Sequence, residues 1–156
     1  AWELMNENVP CSLIVDNTGG HLMQKKMIDV CITGTDRTSL NGDVCNKIGT
    51  YLKALAANDN NIPFYVAAPI SSIDFSIKDG IKEIPIEVRK SNEISETMGL
   101  NNKGKIEFFK TVPNKSKCVN YAFDVTPAKY ITKIITEKKV IKPNIKSINS
   151  LKSNEK

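Results

Sequence analysis

The sequence MIDVCITGTDRTSLNGDVCNKIGTY, residues 27–51, decides the fold. Its first seven residues form a short apolar run that predicts a buried strand. A polar loop follows, and residues 44–58 then predict a helix with one buried face. The apolar positions of that face are Ile48, Tyr51, Leu52, Leu55 and Ala56. A strand, a loop and a helix in this order are typical of the repeating unit of a parallel sheet.

The same alternation extends to both sides of this stretch. We predict strands at residues 9–16, 27–33, 62–68 and 118–125, and helices at residues 2–8, 21–26, 44–58, 91–98 and from Thr126 onward. Alternating strands and helices predict an α/β fold, which we interpret as a Rossmann-like parallel sheet with helices on both faces.

Composition and charge limit the classes of function. The 156 residues are 40% hydrophobic and 25% charged, as in ordinary globular proteins. Six lysines and only two glutamates lie in residues 137–156, so most of the net charge of +5 belongs to this segment. We therefore predict a folded domain at residues 1–141, a disordered Lys/Asn-rich tail at 142–156, and no nucleic-acid partner. No apolar run has the length of a membrane span, so no membrane partner is expected.

The cysteines indicate a reducing environment. Cys11, Cys31, Cys45 and Cys118 include no Cys-x-x-Cys pair, and the single histidine cannot complete a common zinc site. We expect free thiols, no metal, and a cytoplasmic location.

Asp36 is the first candidate for chemistry. It follows the apolar strand at residues 27–33 by three positions, after Gly34, which would let the backbone turn and a ligand come close. In open α/β sheets, ligands bind at the carboxyl ends of the strands. A carboxylate lined by apolar residues at this edge suits proton transfer. An ion pair with Arg37 that only fixes the loop is the alternative.

Asn46 and Lys47 fall in the first turn of the helix predicted at residues 44–58. A helix amino terminus offers free N–H groups and a partial positive charge, so the pair is a candidate for binding phosphate. A solvated lysine is the alternative. Asp43, just before them, is interpreted as either a helix cap or a site residue. Cys45 is expected to pack inside the domain.

Six ordered motifs carry a family resemblance: GTDR at residues 34–37, NGDVCNKIGTY at 41–51, IPFYVAAP at 62–69, SID at 72–74, IPIEVR at 84–89 and AFDVTP at 122–127. Together they resemble the C-terminal half of the methylthioribose-1-phosphate isomerases. That family interconverts an aldose phosphate and a ketose phosphate in methionine salvage, without a metal or nucleotide cofactor, and is expected to be dimeric.

The resemblance implies roles for three residues. Asp36 matches the family's catalytic acid, and Asn46 and Lys47 match its substrate-binding pair. None of the four cysteines matches the family's catalytic cysteine, which is expected upstream of Ala1 in an N-terminal domain, with a glutamine and arginines that bind substrate. The resemblance therefore implies a fragment with half a site that is inactive alone.

Two other functions stay open. A regulatory subunit of the translation-initiation guanine-exchange factor shares the fold and the Asn-Lys-Ile-Gly-Thr pattern but is a binding protein. Ribose-1,5-bisphosphate isomerase is a closer enzymatic relative. The Asp43 motif, Ala-Ala-Pro and Ser-Ile-Asp favour the methylthioribose-1-phosphate isomerase.

Overall fold

A computed structural model describes residues 1–152. Its α-helices are α1 (Trp2–Asn6), α2 (Thr18–Gln24), α3 (Thr50–Asp59), α4 (Gly80–Glu83), α5 (Asn92–Ser95) and α6 (Ile145–Asn149). Its strands are β1 (Cys31–Thr33), β2 (Arg37–Ser39), β3 (Val44–Lys47), β4 (Phe64–Ala67), β5 (Ile73–Asp74), β6 (Val88–Arg89), β7 (Glu96–Leu100), β8 (Ile106–Lys110), β9 (Asn120–Tyr121), β10 (Phe123–Thr126), β11 (Lys133–Ile135) and β12 (Val140–Ile141). Short 3₁₀ helices lie at Ile70–Ser72 and Ala128–Tyr130. Among residues 1–152, no helix is both long enough and apolar enough to cross a membrane.

Two four-stranded sheets form the centre of the molecule. The first has the order β1-β4-β11-β12, with β1, β4 and β11 parallel and β12 antiparallel to β11. The second has the order β10-β3-β2-β5 and is largely antiparallel. The predicted α/β class with a parallel sheet is confirmed. The chain forms β2, β3 and α3 between β1 and β4, so the second sheet begins where β1 ends.

The core lies against the parallel sheet. Phe64 and Val66 of β4 and Ile134 of β11 are fully buried, because β-branched and aromatic side chains fill the pleated surface of a covered sheet. Helix α3 packs against α2, β1 and β4 through Ala54 and Ala57. The predicted apolar face of this helix is wrong for Ile48 and Leu52, which are exposed, whereas Tyr51, Leu55 and Ala56 are partly buried. The fully buried positions are the small alanines, which allow the close approach.

Residues 9–16 do not form the predicted strand. They run without a sheet partner among residues 1–152, and Leu13 and Val15 are 91% and 75% exposed. The apolar run has strand character, but a strand needs a neighbouring ladder to satisfy its backbone groups.

The helix predicted from Thr126 is also wrong. Pro127 precedes a single 3₁₀ turn, and the chain then enters β11, which lies parallel to β4. The isoleucines of this segment fit a helical spacing, but β-branched side chains favour a strand when a sheet edge is available.

Helix α3 begins six residues later than predicted. Residues 44–47 form β3, held between β2 and β10, and Gly49 with φ of 98° separates the strand from the helix. A residue with a left-handed backbone conformation cannot continue a strand or an α-helix, and glycine adopts this conformation at low cost. The strand therefore ends and the helix starts at this glycine.

The predicted disorder from Lys142 is wrong for the residues that the structure describes. Asn144 caps α6 by accepting a hydrogen bond from Ser147 N at 2.9 Å. Ile148 and Leu151 are 0% and 1% exposed and belong to the core. Two buried apolar side chains hold a segment whose average composition is polar. The last four residues of the predicted tail, 153–156, lie outside the described range.

Replacing Ile148 by Ala is expected to lower the free energy of unfolding by about 3 kcal/mol, because the cavity adds to the lost burial. Chemical denaturation of the purified chain measures it. Ile145→Ala, at a 52% exposed position of the same helix, is the control and should cost less than about 1 kcal/mol. Equal small losses for both variants would contradict the packed C-terminal helix.

Candidate active site

A cleft of about 340 Å³ opens at the carboxyl ends of β1 and β4. Asp36 and Arg37, which follow β1, form one wall, and residues 71–75, which follow β4, form the other. This is the place where parallel sheets bind ligands, since neighbouring strands both end there and leave a crevice. The predicted position of Asp36 at the sheet edge agrees with this geometry.

The carboxylate of Asp36 is available for chemistry. The backbone N–H of Asp36 donates to Cys45 O at 2.9 Å, which fixes the residue beside β3. Its carboxylate makes no hydrogen bond or ion pair with any of residues 1–152, and the residue is exposed rather than lined by apolar side chains as predicted. Arg37 pairs with Asp74, at 3.7 Å, and not with Asp36.

Gly34 does not make a sharp turn in this structure. Its φ is not positive, and a Cβ added to it would meet no atom within 4 Å. The predicted need for glycine in the backbone turn is therefore wrong, while a close approach of ligand at Gly34 stays a prediction.

Asp74 is the second carboxylate in the cleft. Its pKa is held below the usual range, first by hydrogen bonds from the Ser76 hydroxyl and backbone N–H and then by the positive charge of Arg37. The Asp74 carboxylate is therefore already engaged by Ser76 and Arg37. Asp36, whose carboxylate has no such partner among residues 1–152, is the better candidate for proton transfer.

Asn46 and Lys47 lie on β3 and not in the first turn of a helix. The predicted helix-terminus argument for phosphate binding is wrong for this reason. Asn46 Nδ2 donates to Thr50 Oγ1 at 3.1 Å, and Lys47 Nζ lies 4.7 Å from the centre of the Phe123 ring. Neither residue lines the cleft beside Asp36. Asn46 therefore lies on β3, the strand that Asp36 contacts through its backbone. The substrate-binding roles of Asn46 and Lys47 stay predictions.

The amino terminus of α3 is occupied by a carboxylate of the protein itself. Asp124 on β10 accepts hydrogen bonds from Gly49 N at 2.7 Å and Tyr51 N at 3.0 Å. Sequence reasoning assigned no role to Asp124. The sequence feature that could have indicated a role is its position between Phe123 and Val125 in an apolar strand. An acidic side chain there needs a partner, because an unpaired charge would be costly.

Asp43 connects three segments around the turn between β2 and β3. Its buried carboxylate accepts hydrogen bonds from Asn41 Nδ2 at 2.7 Å, Gly80 N at 3.2 Å and Ala128 N at 2.9 Å. The predicted cap of a following helix is wrong, because no helix follows. Asp43 instead satisfies backbone N–H groups at the start of α4 and of the second 3₁₀ helix. A side chain at position 80 would collide with it, since a Cβ there would lie 2.6 Å from Asp43 Cβ.

Cys45 is a packing residue, as predicted. It is 2% exposed, and burial first, then the negative charges of Asp36 and Asp124, raise its pKa from 9.0 to about 11. Arg37 opposes this shift. A thiol with such a pKa stays protonated near neutral pH and is a weak nucleophile. Among residues 1–152, no three His, Cys, Asp or Glu side chains form a group that could hold a metal ion.

The thiol of Cys45 gives a prediction for alkaline pH. The folded state keeps the proton up to a pH of about 11, whereas the unfolded state releases it near 9.0. The free energy of unfolding should therefore be unaffected below pH 9 and fall by about 2 kcal/mol between pH 9 and 11. The fall should be absent from Cys45→Ala, compared with wild type by denaturant titration across this range. Parallel curves for the two proteins would contradict the shifted thiol.

Comparison with known proteins identifies the family. A family model described as "Initiation factor 2 subunit family" matches residues 1–143. The chain belongs to this family. The helix α6 lies beyond the matched residues.

Two similar curated proteins carry the same name. The methylthioribose-1-phosphate isomerase of Methylocella silvestris is 58% identical over 148 residues, which are 95% of this chain and 40% of that protein. The enzyme of the same name from Escherichia coli is 58% identical over 140 residues, which are 90% of this chain and 38% of that protein. The resemblance seen in the motifs is confirmed. The chain spans about two fifths of the length of these relatives.

Solved structures of two functional classes share the fold. The 5-methylthioribose 1-phosphate isomerase from Pyrococcus horikoshii matches with a TM-score of 0.83 at 40% identity, over 96% of this chain and 39% of that one. The translation initiation factor eIF-2B, subunit delta, from A. fulgidus matches with a TM-score of 0.79 at 37% identity, over 96% and 42%. The fold alone therefore does not separate an enzyme from a binding protein.

Proposed function

We propose that the full-length protein is an aldose–ketose isomerase that converts 5-methylthioribose 1-phosphate to 5-methylthioribulose 1-phosphate in methionine salvage. The observation that carries this proposal is the unpaired carboxylate of Asp36 in the cleft at the ends of β1 and β4. It occurs in a chain that is 58% identical to a named isomerase.

The isomerisation requires a general acid or base at the oxygens of the sugar. A hydrogen moves from C2 to C1, and the bond between C1 and the ring oxygen breaks. The C2 hydroxyl loses its proton as C2 becomes a carbonyl, and the former ring oxygen gains one. Asp36 carries a proton at one of these oxygens, which is the ordinary work of a positioned carboxyl group. The balance needs no oxidant, metal or nucleotide cofactor.

The substrate phosphate is the partner of Asn46 and Lys47. A lysine supplies a positive charge and an asparagine supplies an amide donor to phosphate oxygens. Lys47 is exposed at the end of β3, and its contact with the Phe123 ring leaves the ammonium accessible. The aromatic ring orients the lysine side chain, and because the ring carries no net charge the ammonium group keeps its positive charge for a phosphate.

The remaining site residues come from the rest of the protein. Residues 1–141, with helix α6 packed on their core, are then the catalytic C-terminal domain of a longer chain, whose N-terminal domain supplies a cysteine, a glutamine and arginines. Two observations support this: the chain spans 40% of a 58% identical relative, and Leu13, Val15 and Ile32 expose large apolar surfaces. Such surfaces mark sites that another part of a protein covers. The assembled enzyme is a cytoplasmic homodimer.

The decisive experiment compares substrates with the full-length protein. We expect a kcat/KM for 5-methylthioribose 1-phosphate at least about 100-fold above that for ribose 1,5-bisphosphate, since the site must distinguish a methylthio group from a second phosphate. The likeness to an eIF-2B subunit makes nucleotide-exchange regulation the second candidate. Tight binding to the initiation factor without turnover of either sugar phosphate would favour that candidate and contradict the isomerase.

A further inference from the structure

The carboxylate of Asp124 joins three elements at the end of the second sheet. It comes from β10 and accepts the backbone N–H groups of Gly49 and Tyr51 at 2.7 and 3.0 Å, where β3 turns into α3. These are donors that a helix terminus leaves without intrahelical partners. Both carboxylate oxygens are therefore used, in contrast to those of Asp36.

The same junction holds Asn46 and Lys47. In the ladder between β3 and β10, Asn46 lies opposite Asp124 and Lys47 lies opposite Phe123. The Thr50 hydroxyl, in the first turn of α3, accepts from Asn46 Nδ2 at 3.1 Å and donates to Lys47 O at 2.7 Å. The direction of the Asn46 amide is thus set by the helix that Asp124 fixes in place.

We propose that Asp124 is a positioning residue for Asn46 and Lys47 in the isomerase reaction. The inference rests on the proposed function of these two residues. Asp124 fixes the first turn of α3 to β10 through its two hydrogen bonds. Thr50, which lies in that turn, fixes the amide of Asn46 and the backbone of Lys47 through its own hydrogen bonds. The role assigned to Asp124 is to hold this turn, since each of its oxygens accepts a backbone N–H of the turn.

These contacts predict whether KM or kcat changes when Asp124 is replaced. Asn46 and Lys47 hold the phosphate, a group that does not react, and so their misplacement removes binding that is shared by the ground state and the transition state. Loss of such binding raises KM with little change in kcat. Asp36 is held separately, by its own bond to Cys45 O, and so the chemical step should be retained.

The test uses the full-length protein and 5-methylthioribose 1-phosphate. In Asp124→Asn, one of the two N–H groups faces an amide NH₂ group instead of an acceptor. We expect KM to rise about tenfold or more and kcat to change less than about threefold. Asp79→Asn is the matched control, because Asp79 also caps a helix, accepting from Lys82 N at 3.2 Å. It lies outside this junction and should leave KM unchanged.

Thr50 provides an independent pair of variants should Asp124→Asn fail to fold. Thr50→Val keeps the shape but removes the hydroxyl, and should raise KM in the same way. Thr50→Ser keeps the hydroxyl and should restore KM to within about twofold of wild type, which a purely structural effect of the side chain would not predict.

The outcomes separate the two proposals. If the wild type does not isomerise the substrate, the proposed function fails and this inference falls with it. If the wild type is active and Asp124→Asn lowers only the melting temperature, with KM unchanged, the positioning role is overturned and Asp124 is only a helix cap. An unchanged KM in Thr50→Val overturns it equally.

Discussion

Replacing Asp36 by Asn in the full-length protein is expected to lower kcat for 5-methylthioribose 1-phosphate by about 10²- to 10⁴-fold, the usual contribution of a general acid or base. The variant keeps the size of the side chain and removes its ability to carry a proton. Its melting temperature should stay within about 1 °C of wild type, because the Asp36 carboxylate makes no bond to residues 1–152 that stabilises the fold. Steady-state kinetics and a thermal melt measure the two quantities.

Asp29→Asn is the control for this experiment. Asp29 is exposed near the start of β1, and the substitution makes the same change of charge outside the cleft. Its kcat should equal that of the wild type. Turnover by Asp36→Asn at the wild-type rate would remove Asp36 from proton transfer and leave in the cleft only the Asp74 carboxylate, which Ser76 and Arg37 already engage.

Replacing Asp43 by Ala is expected to have the largest effect on stability, a loss of about 3–5 kcal/mol in the free energy of unfolding. Asp43 is 4% exposed, and its removal leaves the N–H groups of Gly80 and Ala128 without an acceptor. Each buried unsatisfied donor costs about 1–3 kcal/mol, and the hydrogen bond from Asn41 is lost as well. Denaturant unfolding of the chain measures the change.

Asp79→Ala tests whether this loss is specific. It also removes a carboxylate that accepts a backbone N–H, but the side chain lies at the surface, and the expected cost is about 1 kcal/mol. Similar losses for the two variants would mean that the three segments joined by Asp43 are held by other contacts.

The elements that local sequence predicts well are those built from short apolar runs. Strands β1 and β4, and the placement of Asp36 where β1 ends, follow from the apolar runs at residues 27–33 and 62–68. The predicted burial holds for β4, where Phe64 and Val66 are covered, but not for the first run, where Met27, Val30 and Ile32 are at least half exposed. The α/β class follows from the alternation of these strands with helices.

The errors arise where a distant partner decides the structure. Residues 44–47 have a helical spacing with the residues that follow, yet they form β3 because β10 lies beside them, more than 70 residues away in sequence. The same partner brings Asp124 to the start of α3. Local patterns carry no information about such pairings.

The C-terminal helix shows a different limit. Lysine and asparagine dominate the composition of the last segment, but Ile145, Ile148 and Leu151 repeat every three residues along it. Two of these three side chains are enough to fix α6 on the core. An average over composition conceals a narrow apolar stripe, whereas the spacing of single residues reveals it.

The most direct test of the proposed function follows the reaction by NMR, with 5-methylthioribose 1-phosphate added either to the full-length protein or to the chain of residues 1–156 alone. We predict that signals of the ketose phosphate appear with the full-length protein and that the isolated chain forms no product, because it carries only Asp36, Asn46 and Lys47 of the proposed site. Absence of product with the folded full-length protein would contradict the isomerase, and turnover by residues 1–156 alone would contradict the half site.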